Sequence, residues 1–182
     1  MRNGDYIKTF TGQKFYPLDP RAEEIDIDDI ARSLSMQCRY SGHTERFYSV
    51  AEHSIHMSYK VSLENAMWAL LHDATEAYLS DVPRPIKPFL GDFTLLEENI
   101  HMKIAHKFEL AWPIPEEVHE ADRRILEDEI VVLMKIDSDW DKYRQEPLGV
   151  KIACWSWDVA EYNFMRRFNQ LNYEKYDNDW VG

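Results

Sequence analysis

The sequence predicts an all-α protein, a single compact bundle of about six or more helices. Three observations predict it. Apolar residues recur at helical spacing through most of the 182 residues. Strand signals are scarce, since no period-2 run of β-branched residues extends beyond about five positions. Six Gly and eight Pro are too few for a fibrous repeat or long linker, while six Trp, ten Tyr and eight Phe exceed what a disordered chain carries.

The whole chain, 1–182, reads as one domain, with an N-terminal arm over 1–25, a core over about 35–135 and a C-terminal helix over about 157–172. The first twenty residues mix Gly, Pro, Thr and aromatics and read as an extended arm or small hairpin. Asp26 or Asp28 can cap a helix that runs to about Met36. A loop containing Gly42 follows, and Ser49 then offers an N-cap for a helix carrying Val50, His53, Ile55 and Met57. The segment LENAMWALLHDATEAYL is the clearest helix, with Ala66, Leu70, Ala74 and Ala77 on one stripe. It must stop before Pro83, Pro85 and Pro88. Leu96, Ile100, Ile104 and Phe108 mark the next helix. Pro115 with Glu116 and Glu117 opens another, running through IVVLMKI, where acidic residues suit the positive end of the helix dipole. After a loop with Pro147 and Gly149, SWDVAEYNFMRRFNQLNY closes the chain as a helix, with Asp158 and Glu161 spaced as a partial capping box.

Composition excludes some functions. A net charge of −12 disfavours binding of nucleic-acid polymer, because the phosphate backbone rewards a basic surface. Small anionic metabolites stay open, provided a few cations converge. No stretch approaches 18 apolar residues and the N-terminus lacks an apolar signal core, so no membrane role is expected. Two cysteines, Cys38 and Cys154, suit a reducing compartment, and the expected location is the cytoplasm.

Chemistry concentrates around one dipeptide. His72 and Asp73 sit together in an Ala- and Leu-rich helix, where an ionisable pair is costly without partners. A cation resolves that cost, since imidazole and carboxylate form a good first shell for divalent transition metals. Glu76 shares a helix face with both. His53, on the preceding helix, is separated by enough chain to return antiparallel and face His72. Asp122 falls in the apolar stripe of Val118, Ala121, Ile125 and Val132, so its carboxylate should point inward. Arg39, Arg46, Arg84 and Lys87 lie in the loops flanking these segments and could meet phosphate, with His43 as a weaker candidate. Tyr40 could pack on a deoxyribose. Taken singly, each of these residues has an ordinary reading as a core or solvated side chain; the combination is what carries weight.

The segments VAEHSIHMS, ALLHDATEAYLSDVPRPIK and HEADRRIL together resemble the HD-domain metal-dependent phosphohydrolases. The branch is that of bacterial 5′-deoxynucleotidases and phage-type dATP triphosphohydrolases. The similarity spans roughly residues 35–135, and the His-Asp pair arrives with the downstream pattern Glu76, Asp81, Pro83. The resemblance implies metal ligands at His53, His72, Asp73 and Asp122, and catalytic carboxylates at Glu76 and Asp81. It implies phosphate and sugar contacts at Arg39 and Tyr40, although the family often has Trp where this chain has Tyr40. The implied cofactor is a divalent transition metal (Zn, Co or Mn), with an additional Mg as a further candidate. The implied substrate is a deoxynucleotide hydrolysed at its 5′-phosphate, with a dNTP such as dATP giving deoxynucleoside and triphosphate. A 5′-monophosphatase, or a nucleotide-binding regulator with a structural metal, stays open beside it. Family members are commonly dimers or hexamers, so a homo-oligomer is expected, in a bacterium or in the host cell of a phage.

Overall fold

The computed structural model describes residues 2–135 and 145–178. The chain opens with an antiparallel hairpin, β1 (Ile7–Lys8) against β2 (Lys14–Phe15). Seven α-helices follow among the described residues: α1 (Ile27–Met36), α2 (Val50–Ser58), α3 (Leu63–Leu71), α4 (Glu76–Leu79), α5 (Phe93–Phe108), α6 (Glu116–Leu133) and α7 (Trp157–Asn178). The all-α expectation holds, and the arm-or-hairpin choice resolves to a hairpin. That hairpin is anchored: Phe15 is fully buried and stacks on Tyr78 at 3.9 Å, and Thr11 donates its N–H and hydroxyl to Asp29.

The two expected caps on the first helices form. Asp26 accepts the Asp28 N–H at 2.8 Å, and Ser49 accepts the Glu52 N–H at 3.0 Å. Every residue of α2 except His56 is buried, because α2 packs against α1, α3, α6 and α7. It is the central helix.

The segment expected as one helix over Leu63–Leu79 is instead broken. Between α3 and α4 the backbone tightens to i→i−3 bonds, from Ala74 N–H to Leu71, Glu76 N–H to Asp73 and Tyr78 N–H to Thr75. His72 and Asp73 therefore lie in a tight turn, not mid-helix. Two of the expected boundaries also move. The last helix extends to Asn178, and it starts at Trp157, which puts Asp158 in the first turn, bonded to Ser156. Glu161 then pairs with Arg32 at 3.1 Å in place of closing a capping box. The helix expected to run through IVVLMKI ends at Leu133, and Ile136 lies outside the described residues.

The main core draws on both ends of the chain. Phe15, Ile25, Ile30 and Leu34 pack with Leu70, Ile100 and Ile104, and α7 closes over them with Phe164, Phe168 and Leu171. A smaller cluster of Met57, Trp68, Val118, Ala121 and Ile125 welds α2, α3 and α6 together beside the tight turn. Among the described residues no helix is long and apolar enough to cross a membrane.

Candidate metal centre

Three separate segments bring ligating atoms together. α2 supplies His53, the turn after α3 supplies His72 and Asp73, and α6 supplies Asp122. His53 Nε2 lies 3.3 Å from His72 Nε2 and 3.3 Å from Asp122 Oδ1. One ligand atom from each of His53, His72 and Asp122 falls within 4.8 Å of the others, so this group could hold a metal ion. Asp73 stands at the edge of it: its Oδ2 is 3.1 Å from His72 Nε2 and 3.8 Å from His53 Nε2, but also 3.5 Å from Arg39 Nη1.

The second nitrogen of each imidazole decides what the first can do. His53 Nδ1 faces Glu129 Oε1 at 2.6 Å, and His72 Nδ1 faces the Ala69 carbonyl at 2.8 Å. Both partners are acceptors, so both Nδ1 atoms carry protons. In the neutral rings two unprotonated Nε2 atoms then lie 3.3 Å apart. That arrangement needs a positive centre between them, either a proton or a cation. The separation suits a cation, since two nitrogens each about 2.1 Å from one ion lie about 3.0–3.4 Å apart. The donor set of imidazoles and carboxylates is that of a divalent transition-metal site.

Charge at the cluster follows from its packing. Burial and the Arg39 charge push His53 down, but Glu129 and Asp122 outweigh them and raise it from 6.5 to about 9. Burial works against ionised Asp73, yet His72, His53 and Arg39 hold it far below the usual carboxylate range. Asp122 is likewise held low despite burial, mainly by its bond to His53. Glu76 goes the other way. Burial first, then the charges of Asp73 and Asp81, push its carboxyl well up, and its buried Oε2 has no hydrogen-bond partner. Asp81 is raised by burial as well, and Gln37 clamps this stretch by accepting the Asp81 N–H and donating to the Glu76 carbonyl, both at 3.1 Å.

The expected phosphate-binding residues divide. Arg84, with 81% of its side chain exposed, stands over the site with Nη2 3.6 Å from Asp122 Oδ2. Lys87 bonds Glu97 at 2.9 Å, and that bond, with Glu76 and Asp73, more than offsets the lowering by burial. Arg39 is turned inward to Asp73 and Glu129, and Tyr40 donates its hydroxyl to Glu129 Oε2. Neither Arg46 nor His43 shares a hydrogen bond or ion pair with the cluster among the described residues. Arg46 donates to the Ala153 carbonyl at 3.3 Å, while exposed His43 lines a cleft with Leu133 and Lys135. The left-handed run of Tyr40, Ser41 and Gly42 turns the chain between Arg39 and His43, which separates residues that sequence proximity groups together.

Two residues with a part in the site carried no notice in the sequence reading. Glu129 backs His53, and His101 donates Nε2–H to the His72 carbonyl at 2.8 Å. A signal for Glu129 did exist: it lies seven residues after Asp122, two turns along the same face of α6. His101, on α5, offered none.

No family model matches the chain. It is 44% identical to the uncharacterized protein YfdR of Escherichia coli strain K12 over 124 residues, 68% of this chain and 70% of that one. It is 32% identical to the uncharacterized protein RCAP_rcc00048 of Rhodobacter capsulatus over 124 residues, 63% of each chain. At the first of these levels of identity and coverage, the protein belongs to the same family as YfdR.

Proposed function

We propose that the chain is a metal-dependent phosphohydrolase of the HD-domain type, acting on a deoxynucleotide at its 5′-phosphate. The preferred substrate in this reading is a dNTP, released as deoxynucleoside and triphosphate. The observation that carries it is the meeting of His53, His72 and Asp122 from three segments, with the two imidazole Nε2 atoms 3.3 Å apart. His53, His72 and Asp122 would hold the ion, with Asp73 as a fourth donor, and Zn, Co or Mn fits the donors better than Mg alone. A divalent ion bound there supplies Lewis acidity, lowering the pKa of a water and offsetting phosphoryl charge.

The chain's own residues account for the rest. Exposed Arg84 at the rim is free to meet an anionic phosphate oxygen, with Lys87 as a second cation close to Asp73 and Glu76. Glu76 is the proton-handling group. Burial and the charges of Asp73 and Asp81 raise its carboxyl well above the usual carboxylate range, and a carboxyl so raised holds a proton more readily than an ordinary one. Asp81, also raised, is the candidate for donating a proton to the leaving 5′-oxygen.

The test is a panel of dNTPs, rNTPs and deoxynucleoside monophosphates with the Mn-, Co- or Zn-loaded protein, products identified. Tripolyphosphate appearing with deoxynucleoside supports the reading. Turnover confined to monophosphates replaces it with a 5′-nucleotidase. No turnover at full metal occupancy removes the enzyme.

A further inference from the structure

Behind the ligand ring lies a carboxylate with two distinct jobs. Glu129 is fully buried on α6. Its Oε1 sits 2.6 Å from His53 Nδ1. Its Oε2 receives the Tyr40 hydroxyl and lies 3.4 Å from Arg39 Nη2. Arg39 and Tyr40 reach it from a turn in which Tyr40 (φ 57°) and Ser41 (φ 53°) both adopt the left-handed conformation. L-residues rarely hold that conformation in succession without support from elsewhere. Here the support is the pair of contacts on Glu129.

Resting on the reading of His53, His72 and Asp122 as a metal centre, we propose that Glu129 is its positioning residue. It fixes His53 as the Nδ1–H tautomer with Nε2 aimed at the ion, while Arg39 and Tyr40 hold it in place. A carboxylate behind a ligating imidazole orients the ring and raises its basicity, and losing such a partner typically weakens metal binding about 10–100-fold. Arg39 and Tyr40 are thereby assigned to Glu129, in place of the phosphate and sugar contacts implied by the resemblance. An alternative account makes Glu129 a buried ion-pair residue with a purely structural part. The two differ in what happens to metal affinity when the fold survives.

The experiment uses the full chain stripped with chelator and titrated calorimetrically with Zn²⁺ alone, beside ¹⁵N spectra of the histidine rings. In the wild-type chain His53 is expected to ligate through Nε2 and to show a strongly hydrogen-bonded Nδ1 proton. Glu129→Gln keeps an oxygen able to accept from Nδ1 but loses the charge. It is expected to melt as a folded protein, bind Zn²⁺ about 10–100-fold more weakly, and move the His53 Nδ1 proton resonance toward that of an ordinary neutral hydrogen bond. Unchanged affinity and an unchanged Nδ1 proton resonance in folded Glu129→Gln overturn the proposal and leave the metal centre standing. Absence of Zn²⁺ binding by the wild-type chain removes the metal reading itself. Should Glu129→Gln not fold, the wild-type spectrum still decides, because ligation of Zn²⁺ through His53 Nδ1 overturns the proposal outright.

Discussion

Glu52 shows how much one buried side chain can organise. It is fully buried at the start of α2, and its two oxygens accept the N–H groups of Ala153, Cys154 and Trp155 at 2.6–2.9 Å. Cys154 takes a left-handed φ of 57° to present its N–H, so this carboxylate pins the strand of chain leading into α7 onto the central helix. Glu52→Ala leaves three donors without their acceptor and is expected to destabilise the fold by about 3 kcal/mol. Urea denaturation checks it; a loss under about 1 kcal/mol means that water replaces the carboxylate at no great cost. Glu76 is buried too, but its Oε2 has no partner. A buried oxygen left unpaired serves the fold poorly and a reaction well. Glu76→Gln is therefore expected to keep the fold and bound metal while slowing hydrolysis about 10²–10⁴-fold, the usual worth of a positioned acid or base. Equal turnover in the variant, with metal content measured, refutes the role.

At the scale of elements, the site is built where regular structure stops. α4 is capped by Ser80, whose φ of 67° and ψ of 159° lie in a region occupied almost wholly by glycine. The strain turns the chain so that Asp81 N–H meets Gln37 and Asp81 lies beside the charges of Asp73 and Arg39. Ser80→Gly removes the strain and is expected to stabilise by about 1 kcal/mol, although glycine's freedom in the unfolded chain takes back part of the gain. A thermal melt decides; a lower midpoint means that the serine hydroxyl supports the turn. The same contrast explains what the sequence made legible. Ser49 and Asp26 announce helix starts because a cap is a local device, and the apolar stripe through Ile100 and Ile104 announces a helix because burial repeats with its period. The break at His72–Thr75 was not legible, since the apolar stripe of Ala66, Leu70, Ala74 and Ala77 runs on through it, while contacts such as His101 on the His72 carbonyl come from far along the chain. The candidate ligands His53, His72 and Asp122 stood out as ionisable residues in apolar stripes. Glu129 stood out less despite sharing a face with Asp122, because a glutamate on a long charged helix resembles a solvated one until Tyr40, 89 residues away in sequence, closes on it.

For the molecule as a whole, His53, His72 and Asp122 join the same three segments that the smaller core cluster welds together. α2, the turn after α3, and α6 each contribute to the cluster, so an ion bound there stabilises the folded chain against one in which the three segments separate. At an ion concentration of 100 times the dissociation constant the gain is about 2.7 kcal/mol, or roughly 5–10 °C in melting temperature for a chain of this size. The pH dependence of that gain has a definite sign. With chelator present, His53 carries the positive charge as a proton, and its raised value of about 9 against an ordinary 6.5 makes that proton stabilising. The contribution is complete below pH 6.5 and is lost as pH rises through about 9, on the order of 3 kcal/mol for a fully buried ring. An ion must displace the same proton, so its apparent affinity rises over the same interval. Melting curves recorded from pH 6.5 to 9 should therefore diverge, the chelated protein losing stability while the Zn- or Mn-loaded protein holds or gains it. Parallel curves across that range would mean that proton and metal do not compete for His53, and that the two imidazoles meet for some reason other than a cation.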